Sequence, residues 1–161
     1  MITIKYIIQP KRTMQYQLDQ VVSSLRREGF RITPQRIAIV DYIMTNEEHP
    51  SAEQIHKFVQ RKYPMVSLST VYKTLDLMRS KKLVNEIEVK GQSRFDANTG
   101  EHINLVCLNC GKIEDLDDES IKKIQSRVAK RSKYLILRGS FDFYGYCIAC
   151  KPRFENKNLV K

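Results

Sequence analysis

The chain has 161 residues, 42% of them hydrophobic, and can therefore build one domain or two small domains with modest cores. Its 28 basic and 18 acidic residues give a formal net charge of +10, which favours a polyanionic partner such as nucleic acid over a merely soluble basic protein. No apolar run reaches the roughly eighteen residues of a transmembrane helix, and the apolar core of residues 1–10 is too short for a signal peptide. We therefore expect a cytoplasmic protein without a membrane partner.

Four helical patterns occupy the first half of the chain. Residues 1–13 are predicted to be an extension, because Met14 is a second candidate start of translation. Apolar periodicity then predicts helices at residues 16–28, 33–44, 51–59 and 67–78. Thr33 before Pro34, and Ser51 before an acidic first turn, are suitable N-caps for the second and third of these helices.

The fourth helix is polar near its N-terminal end, where its outer face carries Ser69, Thr70, Tyr72 and Lys73. Hydroxyls, an amphipathic ring and an ammonium group are suited to phosphates and base edges, as in a recognition helix that enters the major groove. An ordinary solvated helix face is the alternative that this helix alone leaves open.

A period-two pattern over residues 83–96 predicts a β-hairpin whose turn lies at residues 91–93. Helices followed by a recognition helix and a basic hairpin make a winged helix-turn-helix, which we predict to span residues 14–97. In that fold the wing lies against the phosphate backbone, so Lys90 and Arg94 are predicted phosphate contacts.

The second half has the pattern of a small α/β domain. Turn-forming residues 98–101 predict a linker, residues 102–150 the domain, and residues 151–161 a flexible tail. Strands are predicted at residues 103–106, 112–116, 134–137 and 140–144, with a helix at residues 119–131. The predicted fold class is therefore α+β, with an N-terminal winged helix-turn-helix followed by a small α/β domain.

All the cysteines of the chain lie in that domain as two C-x-x-C pairs, Cys107 with Cys110 and Cys147 with Cys150. Two such pairs bring four thiolates to one tetrahedral ion, and Zn²⁺ is the usual occupant. Disulfides or unrelated buried pairs are less favoured alternatives, because the spacing is symmetric and no cysteine is left over. We predict a structural zinc that stabilises a domain too small for a generous core.

Two histidines lie near carboxylates in the sequence. His49 lies in the turn before the third helix, whereas His102 follows the linker, close to Asp96, Asn104 and Asp115. Imidazole and carboxylate donors meeting at the domain junction would suit Fe²⁺, Mn²⁺, Zn²⁺ or Co²⁺. From spacing alone, exposed histidines without a metal remain the default alternative.

Several short motifs resemble the ferric-uptake-regulator family of metal-dependent repressors. They are RITPQR at residues 31–36, HPSAE at 49–53, STVY at 69–72, SRFD at 93–96, EH at 101–102, CLNCGK at 107–112 and YGYCIAC at 144–150. The motifs occur in order from about residue 18 to residue 150, nearly the whole chain, so chance agreement is implausible.

The resemblance implies a homodimer whose winged helix binds double-stranded operator DNA and whose second domain both dimerises and holds the four-cysteine zinc. It also implies a regulatory Fe²⁺, Mn²⁺ or Zn²⁺ between the domains, held by His49, Asp96, His102, Asp115 and the residue at position 104. The family usually has a second histidine where this chain has Asn104. An amide oxygen is a poorer donor, so the implied site is weaker, four-coordinate or shifted toward a harder ion such as Mn²⁺. Gly139 stands where many members carry a histidine of a further metal site, so that auxiliary site is expected to be absent.

The resemblance also assigns Arg31 to the minor groove and Tyr72 to base methyl groups. An aspartate at position 115 resembles the peroxide-sensing branch of the family, because the iron-uptake branch more often has glutamate there. We predict a metal-responsive, sequence-specific transcriptional repressor of metal homeostasis or peroxide response, not an enzyme, without a small-molecule substrate. The alternatives are a constitutive zinc-stabilised DNA-binding regulator that does not sense metal, and a thiol redox switch.

Overall fold

The structure is a computed structural model that describes residues 12–137 and 139–153, with side chains from Leu18 onward. Its helices are α1 Arg12–Arg27, α2 Pro34–Thr45, α3 Ala52–Gln60, α4 Leu68–Ser80 and α5 Ser120–Ser132. Its strands are β1 Asn85–Val89, β2 Gln92–Asp96, β3 Ile103–Cys107, β4 Ile113–Leu116 and β5 Phe141–Gly145. Most of the predicted extension at residues 1–13 and of the predicted tail at residues 151–161 lies outside the described residues.

The described residues divide into two compact units. One comprises the residues up to Glu88 together with Gln92–Thr99, and the other comprises Val89–Gly91 and the residues from Gly100 onward. None of the described helices combines the length and the apolar character that crossing a membrane requires.

Helices α1 to α4 of the first unit pack around one apolar core. Its fully buried side chains include Leu25, Ile39, Ile43, Ile55 and Leu75. Full burial of one such side chain stabilises the folded state by roughly 1.5–3 kcal/mol. These residues recur at helical spacing, which is why periodicity found all four helices, although α1 begins at residue 12, before the predicted start.

Both predicted N-caps are confirmed. The Thr33 side chain accepts a hydrogen bond from the Arg36 backbone N–H at 3.4 Å, and Pro34 occupies the first helical position of α2. The Ser51 hydroxyl accepts from the Gln54 N–H at 3.3 Å, while the Gln54 side chain accepts from the Ser51 N–H at 2.7 Å. This reciprocal capping box sets the start of α3, whose N-cap lies two residues after His49.

Strands β1 and β2 form the predicted hairpin, but its turn lies at residues 90–91 and not at 91–93, because Gln92 and Ser93 already belong to β2. Lys90 and Gly91 at its turn have φ angles of 54° and 75°, so the turn is of the type with two left-handed central residues. The Phe95 N–H donates to the Pro50 carbonyl at 3.0 Å, which attaches β2 to the segment that leads into α3.

The second unit contains a three-stranded sheet in the order β4-β3-β5. Strand β3 is antiparallel to β4 and parallel to β5, and Asn104 is opposite Asp115 on one side and opposite Asp142 on the other. Helix α5 lies between β4 and β5 in the chain and buries Ile121. This register places three polar side chains side by side across the middle of the sheet.

The prediction of a strand at residues 134–137 is wrong. These residues form no regular structure, and Leu135 and Leu137 are 86% and 83% exposed. Lys133, at the end of α5, has a left-handed backbone with a φ angle of 59°. A strand needs a neighbour that accepts its hydrogen bonds, and among the described strands β5 pairs with β3 alone, so the alternating pattern is left without a partner strand.

Candidate metal centres and DNA-binding surface

The four cysteines converge at one end of the sheet. Strands β3 and β5 end side by side, with Cys107 opposite Gly145, so that both C-x-x-C turns emerge at the same place. The Gly111 N–H donates to the Cys107 carbonyl, and the Cys150 N–H to the Cys147 carbonyl, each at 2.8 Å. Gly111 has a φ of 76°, a left-handed conformation that glycine adopts without strain.

The sulfur positions match a tetrahedral zinc site. One ligand atom from each of Cys107, Cys110, Cys147 and Cys150 lies within 4.8 Å of every other. The Cys110 and Cys147 sulfurs are 3.8 Å apart. A tetrahedral ion with Zn–S bonds of about 2.3 Å holds its sulfurs about 3.8 Å apart. The donor set therefore fits the structural zinc predicted from the sequence.

Backbone N–H groups favour thiolate in this cluster. Burial opposes ionisation of Cys107, but hydrogen bonds from the N–H groups of Cys110, Cys147 and Asn109 outweigh it and lower the pKa of Cys107 to about 6. The pKa of Cys147 is raised to about 11, first by hydrogen bonding to the Cys150 side chain and then by desolvation. Thiols this close ionise together only when a cation joins them, which is what zinc supplies.

In the first unit, His49 and Asp96 form a buried pair. They are 2% and 5% exposed, and His49 Nε2 is 3.9 Å from Asp96 Oδ1. His49 has a φ of 50°, a left-handed backbone that costs a residue with a Cβ of order 1–3 kcal/mol. The Arg94 Nε donates to the His49 carbonyl at 2.6 Å and so supports this conformation. Strained, buried imidazole beside a carboxylate is typical of a functional site rather than of an exposed histidine.

In the second unit, His102, just before β3, groups with Asn104 of β3 and Asp115 of β4. His102 Nε2 lies 3.1 Å from Asn104 Oδ1 and 3.8 Å from Asp115 Oδ1, and His102 Nδ1 is 3.0 Å from the Gly100 carbonyl oxygen. His102 and Asn104 are each 6% exposed. A histidine whose Nδ1–H is held by a carbonyl presents Nε2 to a metal, the usual arrangement of a metal-binding histidine.

Sequence reasoning missed Asp142. The Asn104 Nδ2 donates to Asp142 Oδ1 at 2.7 Å, and the Ser140 hydroxyl donates to Asp142 Oδ2 at 2.9 Å. Asp142 is separated from Asn104 by 38 residues, and only the parallel pairing of β3 with β5 brings them together. The signal available in the sequence was weak, since Asp142 is one acidic residue in an otherwise aromatic strand.

The predicted recognition residues lie together near the start of α4. Ser69, Tyr72 and Lys73 are exposed, and Thr70 is half-buried. The Ser67 hydroxyl caps the helix by accepting from the Thr70 N–H at 3.2 Å. These side chains therefore form one polar surface at the N-terminal end of α4.

The other predicted DNA contacts have partners inside the protein. Arg31 is exposed, and its carbonyl accepts from the Arg36 side chain at 2.8 Å. The Lys90 ammonium donates to the Asn109 carbonyl, and the Arg94 guanidinium donates to the His49 carbonyl. The minor-groove contact of Arg31 and the phosphate contacts of Lys90 and Arg94 stay predictions, but the two wing residues also carry structural hydrogen bonds that the sequence did not indicate.

Comparisons with known proteins agree on one family. Residues 27–144 match the model of the Ferric uptake regulator family. The peroxide operon regulator of Bacillus subtilis (strain 168) is 33% identical over 139 residues, covering 86% of this chain and 96% of that protein. The solved Campylobacter jejuni peroxide stress regulator is 30% identical, with a TM-score of 0.67 over 83% of this chain and 98% of its own.

A further structural comparison bears on the fold alone. The Helicobacter pylori ferric uptake regulator Fur is 23% identical and superposes with a TM-score of 0.76 over 89% of this chain and 97% of its own. The α+β fold class predicted from the sequence is thereby confirmed.

Proposed function

Because the chain belongs to the ferric uptake regulator family, we propose that it is a metal-responsive transcriptional regulator that represses its targets as a homodimer on operator DNA. The family resemblance inferred from the motifs is confirmed by both the family model and the relatives. Asp115 and the identity to peroxide regulators support the peroxide response over metal homeostasis. Four cysteines grouped to hold one metal ion, rather than paired in disulfides, support a cytoplasmic setting.

The observation that carries the proposal is the presence of two chemically different donor sets. Four thiolates close a tetrahedral zinc and leave no position for a signal, so this set holds the second unit together. Imidazole, amide and carboxylate donors suit an exchangeable Fe²⁺, Mn²⁺ or Zn²⁺. Following the family resemblance, we assign the regulatory ion to the side chains of His49, Asp96, His102, Asn104 and Asp115.

When bound, the regulatory ion supplies a cross-link between donors that come from different parts of the chain. Carboxylates and neutral imidazoles are the forms that bind, so protons compete with the ion. Regulation then follows because the ion binds more tightly to the conformation in which its ligands are close together. Ion binding therefore raises the population of that conformation. Ion binding and operator binding are reciprocally coupled.

Residues next to His49 connect it to both DNA-binding elements of the first unit. Its carbonyl accepts from Arg94 of the hairpin. Two residues on, the Ser51 hydroxyl donates to Glu53 Oε2 at 2.8 Å, and the Tyr72 hydroxyl donates to Glu53 Oε1 at 2.9 Å. Fixing His49 therefore restrains the hairpin and the tyrosine of α4 together.

The test is operator binding as a function of metal. The full-length, zinc-loaded protein is freed of labile metal, and a binding duplex is selected from a random library with Mn²⁺ present. We expect Mn²⁺, or Fe²⁺ without oxygen, to tighten duplex binding by about 5- to 150-fold, the usual range of allosteric coupling. His102→Ala is the matched variant, which should bind the duplex as the metal-free protein does and gain nothing from metal. Equal affinity of the unaltered protein with and without metal would refute the switch.

Peroxide response is tested on the same duplex. Peroxide should release the Fe²⁺-loaded protein and leave the Mn²⁺-loaded protein bound, because Mn²⁺ does not reduce peroxide readily in such sites. Release of both forms, accompanied by loss of zinc and oxidation of cysteines, would instead support the thiol redox switch. One zinc per chain with no uptake of a second ion would support the constitutive regulator.

A further inference from the structure

A chain of close polar contacts crosses the sheet of the second unit from His102 through Asn104 to Asp142. The distances are 3.1 Å from His102 Nε2 to Asn104 Oδ1 and 2.7 Å from Asn104 Nδ2 to Asp142 Oδ1. The carboxylate is itself held by the Ser140 hydroxyl at 2.9 Å. Asn104 is thus fixed at both ends of its amide.

The chemistry of the partners decides which end of the amide faces which way. An ionised carboxylate only accepts hydrogen bonds, so the NH₂ group of Asn104 faces Asp142 and its oxygen faces His102. A backbone carbonyl also only accepts, so the neutral tautomer that satisfies the Gly100 carbonyl carries its proton on His102 Nδ1 and leaves a lone pair on Nε2. In that tautomer Nε2 and the Asn104 oxygen are two acceptors that face each other, an arrangement that a cation between them stabilises.

The spacing fits one coordination sphere. With metal–ligand distances of about 2.1 Å, adjacent donors lie about 3.0 Å apart around an octahedral ion and about 3.4 Å apart around a tetrahedral one. His102 Nε2 is 3.1 Å from Asn104 Oδ1 and 3.8 Å from Asp115 Oδ1. The Asn104 oxygen thus lies at the spacing of an adjacent ligand and the Asp115 oxygen a few tenths of an ångström beyond it, and the orientation of the Asn104 oxygen depends on Asp142.

The Asp142 carboxylate also makes the Asn104 oxygen a stronger metal ligand. A hydrogen bond to a charged acceptor is stronger than a neutral one and polarises the group that donates it. Electron density moves toward the Asn104 oxygen when its NH₂ group binds Asp142. The amide is therefore a better donor than an isolated asparagine, which offsets the loss of the histidine expected at position 104.

We infer that Asp142 is the positioning residue of the regulatory metal site, presenting the Asn104 oxygen to the ion and strengthening it. The inference rests on the proposed regulatory function and names the class of ion. An oxygen ligand in place of imidazole favours a hard ion. The affinity for Mn²⁺ or Fe²⁺ relative to that for Zn²⁺ is therefore higher in this protein than in an Asn104→His variant.

The experiment measures Mn²⁺ binding by the full-length, zinc-loaded protein, from the electron paramagnetic resonance signal of free Mn²⁺. Asp142→Ala should weaken binding about tenfold or more, because losing the outer partner of a metal ligand costs about 10- to 100-fold. Asp142→Asn keeps a neutral acceptor, so its Mn²⁺ affinity should fall between that of the parent protein and that of Asp142→Ala. Phe143→Ala, at a residue of the same strand that is 60% exposed and outside this chain of contacts, is the matched control and should leave the affinity unchanged.

A rescue separates positioning from simple damage to the sheet. In an Asn104→Asp background both ends of the side chain are oxygens, so Asp142→Ala should cost no Mn²⁺ affinity there. An equal loss in both backgrounds would show that Asp142 only stabilises the strand, and an unchanged affinity of Asp142→Ala alone would overturn the inference while leaving the proposed function intact. A parent protein that takes up no second ion would overturn both.

Discussion

The Tyr72 hydroxyl donates a hydrogen bond to the Glu53 carboxylate at 2.9 Å, joining α4 to α3 on the surface proposed to read DNA. Glu53 also accepts from the Ser51 hydroxyl at 2.8 Å. Its own backbone N–H, then Ser51 and Tyr72, lower the pKa of Glu53, and the hydrogen bond to Glu53 raises the pKa of Tyr72. The carboxylate therefore stays charged, the phenol stays neutral, and the ring of Tyr72 is oriented before any DNA arrives.

Removing this hydrogen bond should weaken operator binding without unfolding the protein. Glu53→Ala and Tyr72→Phe are each expected to cost about twofold to tenfold in affinity, the net worth of one hydrogen bond. Because both substitutions break the same contact, the double variant should bind no worse than either single one. Fluorescence anisotropy on the selected duplex measures this, and tighter binding by Glu53→Ala would mean that Glu53 acts mainly by repelling phosphates.

Truncating Tyr72 itself should have a larger effect. Tyr72→Ala is expected to weaken specific binding by about 5- to 150-fold, since a base contact contributes roughly 1–3 kcal/mol. Because Tyr72 is 43% exposed and outside the core, the thermal midpoint and the zinc content should not change. Met65→Ala, at a residue 93% exposed, is the matched control. Unchanged discrimination between the selected duplex and a scrambled one would rule out a reading role for Tyr72.

Opening the zinc site should destroy the second unit. Cys110→Ser leaves three thiolates, which cannot close the tetrahedral site, and structural zinc contributes about 10–16 kcal/mol of apparent folding free energy in small domains. We expect loss of zinc by elemental analysis and loss of the dimer by analytical ultracentrifugation. Leu108→Ala, a half-exposed residue in the same turn, should retain both. A zinc-free variant that remains a stable dimer would contradict the structural role.

Arg94 should act on metal binding although it is not a ligand. Its guanidinium supports the left-handed His49, so Arg94→Ala is expected to weaken Mn²⁺ binding several-fold. Lys73→Ala is the comparison. Removing a side chain that contacts only phosphate should leave Mn²⁺ binding unchanged and lower the salt dependence of duplex binding by about one counterion. If Arg94→Ala gives only that salt effect, Arg94 is a phosphate contact and not a support of the metal site.

Local features were predictable from the sequence because they depend on neighbouring residues. The capping box of α3 spans three residues, and each C-x-x-C pair builds its own turn, so both could be located without knowing the fold. The proposed metal ligands His49, Asp96, His102 and Asp115 came instead from resemblance to a family, since spacing alone did not bring them together.

Long-range pairing decided the rest. The strand expected at residues 134–137 has the right alternation, but a strand exists only where another accepts its hydrogen bonds. Glu53 meets Tyr72 because α3 packs on α4. Asp142 meets Asn104 because β5 runs parallel to β3 in one register, and a shift of one residue would turn Asp142 to the opposite face of the sheet.

The amino-acid sequence by itself determined that this chain carries a four-thiolate zinc site and a helical DNA-binding half, because both depend on spacing along the chain. Only the tertiary structure decided how the amide of Asn104 is oriented, because that depends on a carboxylate 38 residues away. Asn104 looked in the sequence like a weakened ligand. Through its hydrogen bond, Asp142 orients the Asn104 amide and polarises its oxygen as a metal ligand.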